Sequence, residues 1–526
     1  MTMTIDRNGQ RLALGRWLLI LGYVAGLWTN GRSASGQETG GVAAATAIQD
    51  SFIKAIESAE KSVVSISRDK RQALALHESR PFLGRGGERP ANPADPEWIP
   101  NEFGAGIVID KAGLILTNYH LVRGGPIEGR PDQKSEYMIY VHLPDRRGFE
   151  AAIFAADPRS DLAVLKIAAV DLVPVKFGNV VPVRKGQLVI ALGNPYAIAR
   201  DGSASATWGI VSNVARQAML EGEPADLERR RRETIHHLGT LLQLDTRLEL
   251  GTSGGALLNL QGDVIGMTTA LAALVGYEKS AGFAIPFDDA MRRIIESLRQ
   301  GKEVEYGFLG IMLEDVLASD LSKPEWGAIA RRIRQFGAVR IENVLNDLPA
   351  SRGGLKANDL IVRAGDKPVL SKSDLMREVG LAAPGSIVRV KILREVRERD
   401  WQELDVPVEV GKWPVIDEEG IVGKPQREAW RGISYDYVSA RSRYFGQPQA
   451  RERYQGVRVL DVRAGSPAAA REVQPGDLIT HVRGVQIISP KDFAEAVSGQ
   501  TGPVVLTIST PSERNSMLRQ VEIKSP

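Results

Sequence analysis

The sequence predicts a mainly β chain: two β-rich halves of similar size, followed by two small α+β domains that repeat one another. Two observations predict the first part. From Phe103 to Ile285 short apolar runs recur between turn signals, the pattern of antiparallel barrels or sandwiches. Glycine is plentiful, at 53 of 526 residues, which suits many tight turns. A third observation predicts the pair. Val339 to Ile361 aligns without gaps onto Val457 to Ile479, with Pro349-Ala350 answering to Pro467-Ala468 and Asn358-Asp359-Leu360-Ile361 to Gly476-Asp477-Leu478-Ile479.

The N-terminus carries Arg7, Arg11 and Arg16, an apolar run from Trp17 to Trp28, then Ser33-Ala34-Ser35. A basic segment, a short apolar segment and a small-x-small site describe a secretory signal over residues 1–35, or an anchor if it is not cleaved. Any membrane association is expected only through residues 17–28, a run short of the roughly 20 apolar residues that span a bilayer. The working chain is therefore expected outside the cytoplasm. Ile48, Phe52, Ile56 and Ala59 then mark one helical face, and Ser62–Ser67 reads as a strand. Residues 70–102, with Pro81, Pro90, Pro93, Pro96 and Pro100, read as a long loop without its own core.

The first half supplies strands at Gly106–Ile109, Leu114–Thr117, Met138–Val141, Ala151–Phe154 and Leu162–Ile167. The second supplies Leu188–Leu192, Thr207–Val211, Leu241–Leu244, Ala256–Asn259, Val264–Met267 and Gly282–Ile285. Asp288 is placed to cap a helix with Met291, Ile294, Ile295 and Leu298 on one face. These boundaries give one domain over 45–302, small domains over 303–406 and 428–526, and a proline-containing linker over 407–427 between the small domains. Each repeat reads strand, short helix, strand, helix, strand.

Composition narrows the chemistry. Hydrophobic residues at 43% and charged residues at 25% belong to a folded, soluble chain. A net charge of +3 gives no reason to invoke nucleic acid. Arg229 to Arg232, in the insertion 216–237, is interleaved with Glu221, Glu223, Asp226, Glu228 and Glu233, so it reads as a solvated charged loop. Cysteine is absent, which removes disulfides, thiolate metal sites and a cysteine nucleophile together.

Ser253 stands in Gly251-Thr252-Ser253-Gly254-Gly255. A serine flanked by glycines fits a tight turn that aims the hydroxyl outward and gathers backbone N–H groups at one spot. Such a serine needs a base. Of the histidines His77, His120, His142, His236, His237 and His481, only His120 both ends a strand and opens a turn. Asp161, at the start of an apolar strand, is placed to orient it. His120, Asp161, Ser253 is the chain order of the chymotrypsin-type double barrel, with the first two in one half and the serine in the other.

The chain resembles the HtrA/Deg family, a trypsin-like serine protease domain followed by two PDZ domains. The resemblance rests on Thr117-Asn118-Tyr119-His120, Asp161-Leu162-Ala163-Val164-Leu165, Leu192-Gly193-Asn194-Pro195, Gly209-Ile210-Val211-Ser212, Gln243-Leu244-Asp245, Gly251–Gly255 and Gly282-Phe283-Ala284-Ile285-Pro286, in that order. It implies a chymotrypsin/trypsin-like double β-barrel in which Ser253 attacks a peptide carbonyl, His120 moves its proton and Asp161 orients His120. Backbone N–H groups of Gly251 and Ser253 would hold the oxyanion. Ala281, Gly282 and Phe283 would border the substrate pocket. No metal, ATP or other cofactor is implied.

The PDZ domains are expected to bind peptide C-termini at Phe308, Leu309, Gly310 and Ile311 and at Trp430, Arg431, Gly432 and Ile433. Unfolded proteins are the expected substrates, a trimer or a multiple of it the assembly, and the periplasm the location. Three departures stand out: the family's Pro-Gly-Asn-Ser-Gly-Gly-Pro is here Leu250-Gly251-Thr252-Ser253-Gly254-Gly255-Ala256, its usual Ile is Ala281, and Arg431 replaces an apolar residue. The first suggests a more mobile oxyanion loop. The competing reading is a chaperone or PDZ scaffold whose protease domain does not cut.

Overall fold

Alternating burial closes the first half of the chain into a barrel. In β4 (Tyr137–His142) Ile139 and Val141 point inward while their neighbours are half-exposed. The other strands are β1 (Val63–Lys70), β2 (Glu102–Asp110), β3 (Leu114–Asn118), β5 (Gly148–Asp157) and β6 (Leu162–Ile167), in the closed order β1-β2-β3-β6-β5-β4. The second barrel comprises β7 (Leu188–Gly193), β8 (Ser205–Arg216), β9 (Leu241–Leu244), β10 (Ala256–Leu258), β11 (Val264–Thr269) and β12 (Gly282–Pro286), closed as β10-β11-β12-β9-β8-β7. This computed structural model describes residues 34–525 except 72–92, 95–99, 101, 131–134, 195–202, 218–233, 247, 270–281, 318, 323–325, 328, 398–399, 416–419, 440–455 and 511–516. Residues 1–33 of the expected leader, most of the proline-rich loop, the run Arg229–Arg232 and Ala281 lie outside the described residues.

One apolar core runs between the barrels, joining Ile107, Leu116 and Leu162 of the first to Ile190, Leu192, Phe283 and Ile285 of the second. Two helices close it. α1 (Ala34–Ala59) is longer than the sequence suggests; it buries Ala55 and Ala59, and Phe52 meets the Trp208 ring edge-on at 5.5 Å. α2 (Asp289–Arg299) starts at Asp288, whose carboxylate accepts from the Met291 N–H at 2.9 Å, and buries Met291, Ile294, Ile295 and Leu298. Among the described residues no helix is long and apolar enough to cross a membrane.

The first C-terminal domain is a sheet ordered β14 (Ile311–Asp315), β15 (Val339–Val344), β16 (Leu360–Ala364), β18 (Ile387–Arg397), β19 (Asp400–Glu409), with β17 (Lys367–Pro368) beside β16. β13 (Gly307–Phe308) pairs with β20 (Gly411–Lys412). The second is ordered β21 (Ile433–Tyr437), β22 (Val457–Val462), β23 (Leu478–Val482), β25 (Val504–Thr510), β26 (Met517–Ile523), with β24 (Val485–Gln486) beside β23. The repeat survives as register: Val339 pairs with Ile361, and Val457 with Ile479.

Helices α3 (Ile329–Phe336), α4 (Pro349–Arg352) and α5 (Lys372–Gly380) belong to the first domain and α6 (Pro490–Val497) to the second. α5 and α6 both open with a capping box, Ser371 with Asp374 and Ser489 with Asp492. α3 is an addition to the expected pattern. It buries Ile329, Ala330 and Ile333 and turns its arginines outward, so only about two turns of apolar spacing betray it.

The stretch 407–427, expected as a linker, starts inside β19, and its described residues are fastened on both sides. Val422 bridges to Ala156 of the first barrel, exchanging both backbone hydrogen bonds. The buried Lys412 ammonium lies 3.0 Å from Glu303, 3.2 Å from Glu305 and 2.6 Å from Asp436 on β21, and Arg427 spans Glu305 and Asp436. Burial opposes the lysine's charge, and the three carboxylates outweigh it, holding its pKa above the usual lysine value. The prolines of the stretch suggest a linker, and the carboxylates that hold Lys412 come from other parts of the chain. Lys412→Ala leaves Glu305 and Asp436 sharing one arginine and takes the ammonium from Glu303, and is expected to cost about 3–5 kcal/mol in urea unfolding.

Candidate active site

The end of β3 delivers His120. After Asn118 the chain turns through a 3-10 helix, Tyr119–Leu121, which leaves a quarter of the His120 side chain exposed at the cleft. Asp161 occupies the turn between β5 and β6, at φ +53°, a left-handed conformation that Asp tolerates better than most residues. Its carbonyl accepts from Tyr119 N–H (2.9 Å) and from Asn118 Nδ2 (3.2 Å). Its carboxylate accepts from His120 N–H at 3.0 Å and meets His120 Nδ1 at 2.8 and 3.0 Å.

A carboxylate accepts only, so the ring proton sits on Nδ1 and Nε2 keeps a lone pair. Burial lowers the His120 pKa, and the charge and hydrogen bond of Asp161 more than reverse it, leaving it raised above the ordinary 6.5. The pair can accept a proton at Nε2 and stabilise the cation that results.

Ser253 belongs to the loop between β9 and β10 and is tied to the first barrel through its backbone. Its carbonyl accepts from Ala105 N–H of β2 at 2.8 Å, and Thr117 Oγ1 of β3 donates to the Ala105 carbonyl at 2.8 Å. Serine loop, β2 and the strand that leads to His120 are thus one hydrogen-bonded unit. Two glycines permit this approach. Gly251 has φ +94° and a Cβ there would lie 2.3 Å from the Asn194 carbonyl; Gly254 has φ +83° and a Cβ would lie 2.0 Å from the Ala105 carbonyl. Thr252, expected to loosen the loop, supplies ties of its own: its hydroxyl donates to the Glu249 carbonyl at 2.7 Å and its carbonyl accepts from Thr268 Oγ1.

Other expected residues fall less simply. Gly282 and Phe283 lie on β12, and the Phe283 ring is buried in the core between the barrels, which leaves only its main chain for a substrate. Phe308 and Leu309 pack inward, Phe308 edge-on against Trp413 at 5.6 Å, and Gly310 turns the chain at φ +78° into β14, an edge strand. In the second domain Trp430 and Ile433 exchange backbone hydrogen bonds with each other. Gly432 takes φ +93°, while Arg431 folds inward and donates to the carbonyls of Gln500, Gly502 and Ile523. The arginine is therefore a packing residue, and no charge is presented to a peptide. Sequence reasoning also passed over His236, grouping it with a solvated insertion; it is fully buried, 2.9 Å from the Ser160 carbonyl.

Residues 104–267 match the family model of a trypsin-like peptidase domain, and residues 307–408 and 458–508 each match a PDZ domain. A periplasmic serine endoprotease of Pseudomonas fulva, described as DegP-like, is 32% identical over 398 residues, 75% of this chain and 73% of its own. One of Pseudomonas fluorescens is 30% identical over 474 residues, 86% of this chain and 89% of its own. Among solved structures, the HtrA-type protease AlgW with a decapeptide is 23% identical with a TM-score of 0.45, covering 69% of this chain and 99% of that one. Two closed barrels, two PDZ domains and relatives aligned along most of both chains lead to one conclusion: this chain belongs to the DegP-like family of trypsin-like serine endoproteases.

Proposed function

We propose that the chain is an ATP-independent endopeptidase of the periplasm that cuts unfolded or damaged proteins through Ser253, His120 and Asp161. The direct His120–Asp161 contact carries this reading, because it leaves Nε2 ready to take the serine proton. Ser253 attacks the peptide carbonyl, and His120 returns the proton to the leaving amine. N–H groups of Gly251 and Ser253 hold the oxyanion, each worth about 3–4 kcal/mol. The names of the relatives support the location. The test is cleavage of casein, which has no stable fold, in the absence of ATP, with covalent labelling of Ser253 by a fluorophosphonate. An intact casein band beside an unlabelled protein would instead favour a non-cutting chaperone or scaffold.

The PDZ domains recruit or sense peptide C-termini, and the first is the better suited. A peptide can add to the open edge of β14 with its carboxylate at Phe308–Ile311. In the second domain the N–H of Ile433 is already donated to Trp430. A fluorescent peptide should bind Ser253→Ala protein at least about tenfold more weakly once its C-terminus is amidated, or once Gly310 becomes Val. The Val side chain would meet φ +78° and a Cβ contact 2.6 Å from Leu348. Equal binding of the amidated peptide would remove carboxylate recognition. By resemblance the assembly is a trimer or a multiple of it, which light scattering of the mature protein measures.

A further inference from the structure

We propose that His236 is a positioning residue for Asp161: its Nε2–H holds the Ser160 carbonyl, and so fixes the peptide plane from which the acid projects. The inference rests on the triad reading above. His236 has no exposed surface, although it closes a charged insertion, and it lies in a 3-10 turn, Ile235–Leu238. Both ring nitrogens are engaged, Nε2 with the Ser160 carbonyl at 2.9 Å and Nδ1 with Thr240 Oγ1 at 2.6 Å. A carbonyl only accepts, so Nε2 carries the proton and Nδ1 accepts from the Thr240 hydroxyl. Burial, aided by His237, holds its pKa below the ordinary histidine value against the pull of Asp161 and Ser160. The ring is thus neutral and in one tautomer.

What this donor grips is the turn that makes Asp161 an acid. The N–H of Ile235 donates to the Arg159 carbonyl at 2.7 Å, so residues 235 and 236 clamp two successive carbonyls. From the other side Asp157 accepts from Ser160 N–H at 3.0 Å, and is itself held by Arg159 and the Tyr306 hydroxyl. These contacts hold the 159–160 peptide on both edges, and the next peptide, 160–161, is held by His236 at its carbonyl and by the Pro158 carbonyl at its N–H (3.3 Å), ahead of a residue at φ +53°. A side-chain-bearing residue keeps that conformation only where its surroundings over-determine it. Rotation of this plane would swing the carboxylate that meets His120 Nδ1 at 2.8 Å. His236 touches no reacting atom; it acts through Asp161.

The variants are His236→Leu, which removes the donor, His236→Gln, whose amide can replace it, and Thr240→Val, which removes the hydroxyl that anchors Nδ1 while keeping the side-chain shape. Each full-length protein is assayed on a peptide substrate, with kcat expressed per active site titrated by fluorophosphonate, so that unfolded protein is not counted. We expect His236→Leu to lower kcat on the order of 10- to 100-fold with KM nearly unchanged, because geometry rather than binding is lost. Its acid limb should move to lower pH as His120 loses its carboxylate. His236→Gln should recover most of the rate, and Thr240→Val should lose about threefold.

If His236→Leu does not fold, the Gln and Val variants decide the matter. A kcat per titrated site and an acid limb equal to wild type overturn the inference, even where the unfolding temperature falls. So does a loss of rate with an unmoved acid limb and no rescue by Gln, the signature of a merely structural histidine. An unlabelled wild-type Ser253 overturns the triad reading itself, and this inference with it.

Discussion

Ser253→Ala should lower kcat by about 10⁵- to 10⁶-fold and abolish fluorophosphonate labelling, while the unfolding temperature stays close to that of wild type. The two halves of this expectation come from different atoms of one residue. In the proposed mechanism the hydroxyl is the nucleophile, and the loop's other hydroxyl, on Thr252, is already donated to the Glu249 carbonyl. The tie to the first barrel, by contrast, is the Ser253 carbonyl accepting from Ala105 N–H, which alanine retains. The positive-φ glycines on either side and the Thr252 hydroxyl bond to Glu249 are untouched. The variant should therefore be a folded protein that still binds unfolded chains. Residual cleavage within about tenfold of wild type would place the nucleophile elsewhere.

How much of this site could be read from the chain depended on how local each determinant is. The tight turn around Ser253 was legible because Gly251 and Gly254 are demanded by its own backbone angles. The contact between His120 and Asp161 was legible through chain order, although 41 residues separate them. His236 was not, because its role is set by a carbonyl 76 residues away and its neighbours in sequence are charged. The same holds for residues 407–427. Their prolines suggested a linker, and the burial of Lys412 by carboxylates at 303, 305 and 436 is not written in that stretch. Arg431 stood out only as a charge in place of an apolar residue; its guanidinium is spent on carbonyls at 500, 502 and 523. Repeats and turns are written locally, but the fate of a single polar side chain is decided by what folds against it.

Asp161→Asn should be the second most damaging change at the site, lowering kcat by about 10⁴-fold. An asparagine amide turned toward Nδ1 as donor requires the ring proton to move to Nε2, where it blocks acceptance of the serine proton. The fold should survive, because the amide oxygen can still accept from His120 N–H, and the Asp161 carbonyl keeps its bonds from Tyr119 and Asn118. The pH profile carries a second, independent signature. In the wild type, burial lowers the His120 pKa but the charge and hydrogen bond of Asp161 raise it beyond 6.5, so activity should fall with acid through a midpoint above that value. In the variant only burial and the nearby Arg68 remain, and both push the pKa down. The residual activity should then persist to lower pH.

Stability follows the same sign. A pKa raised by folding contributes stability that is fully present below the unfolded value and lost as pH rises through the folded one. The wild type should therefore lead the variant most near about pH 5–6, and its lead should shrink as pH rises past the wild-type midpoint. Urea unfolding of both proteins across that range, beside their kcat/KM profiles, tests both statements. An acid limb left in place by Asp161→Asn would show that His120 is not the group being titrated.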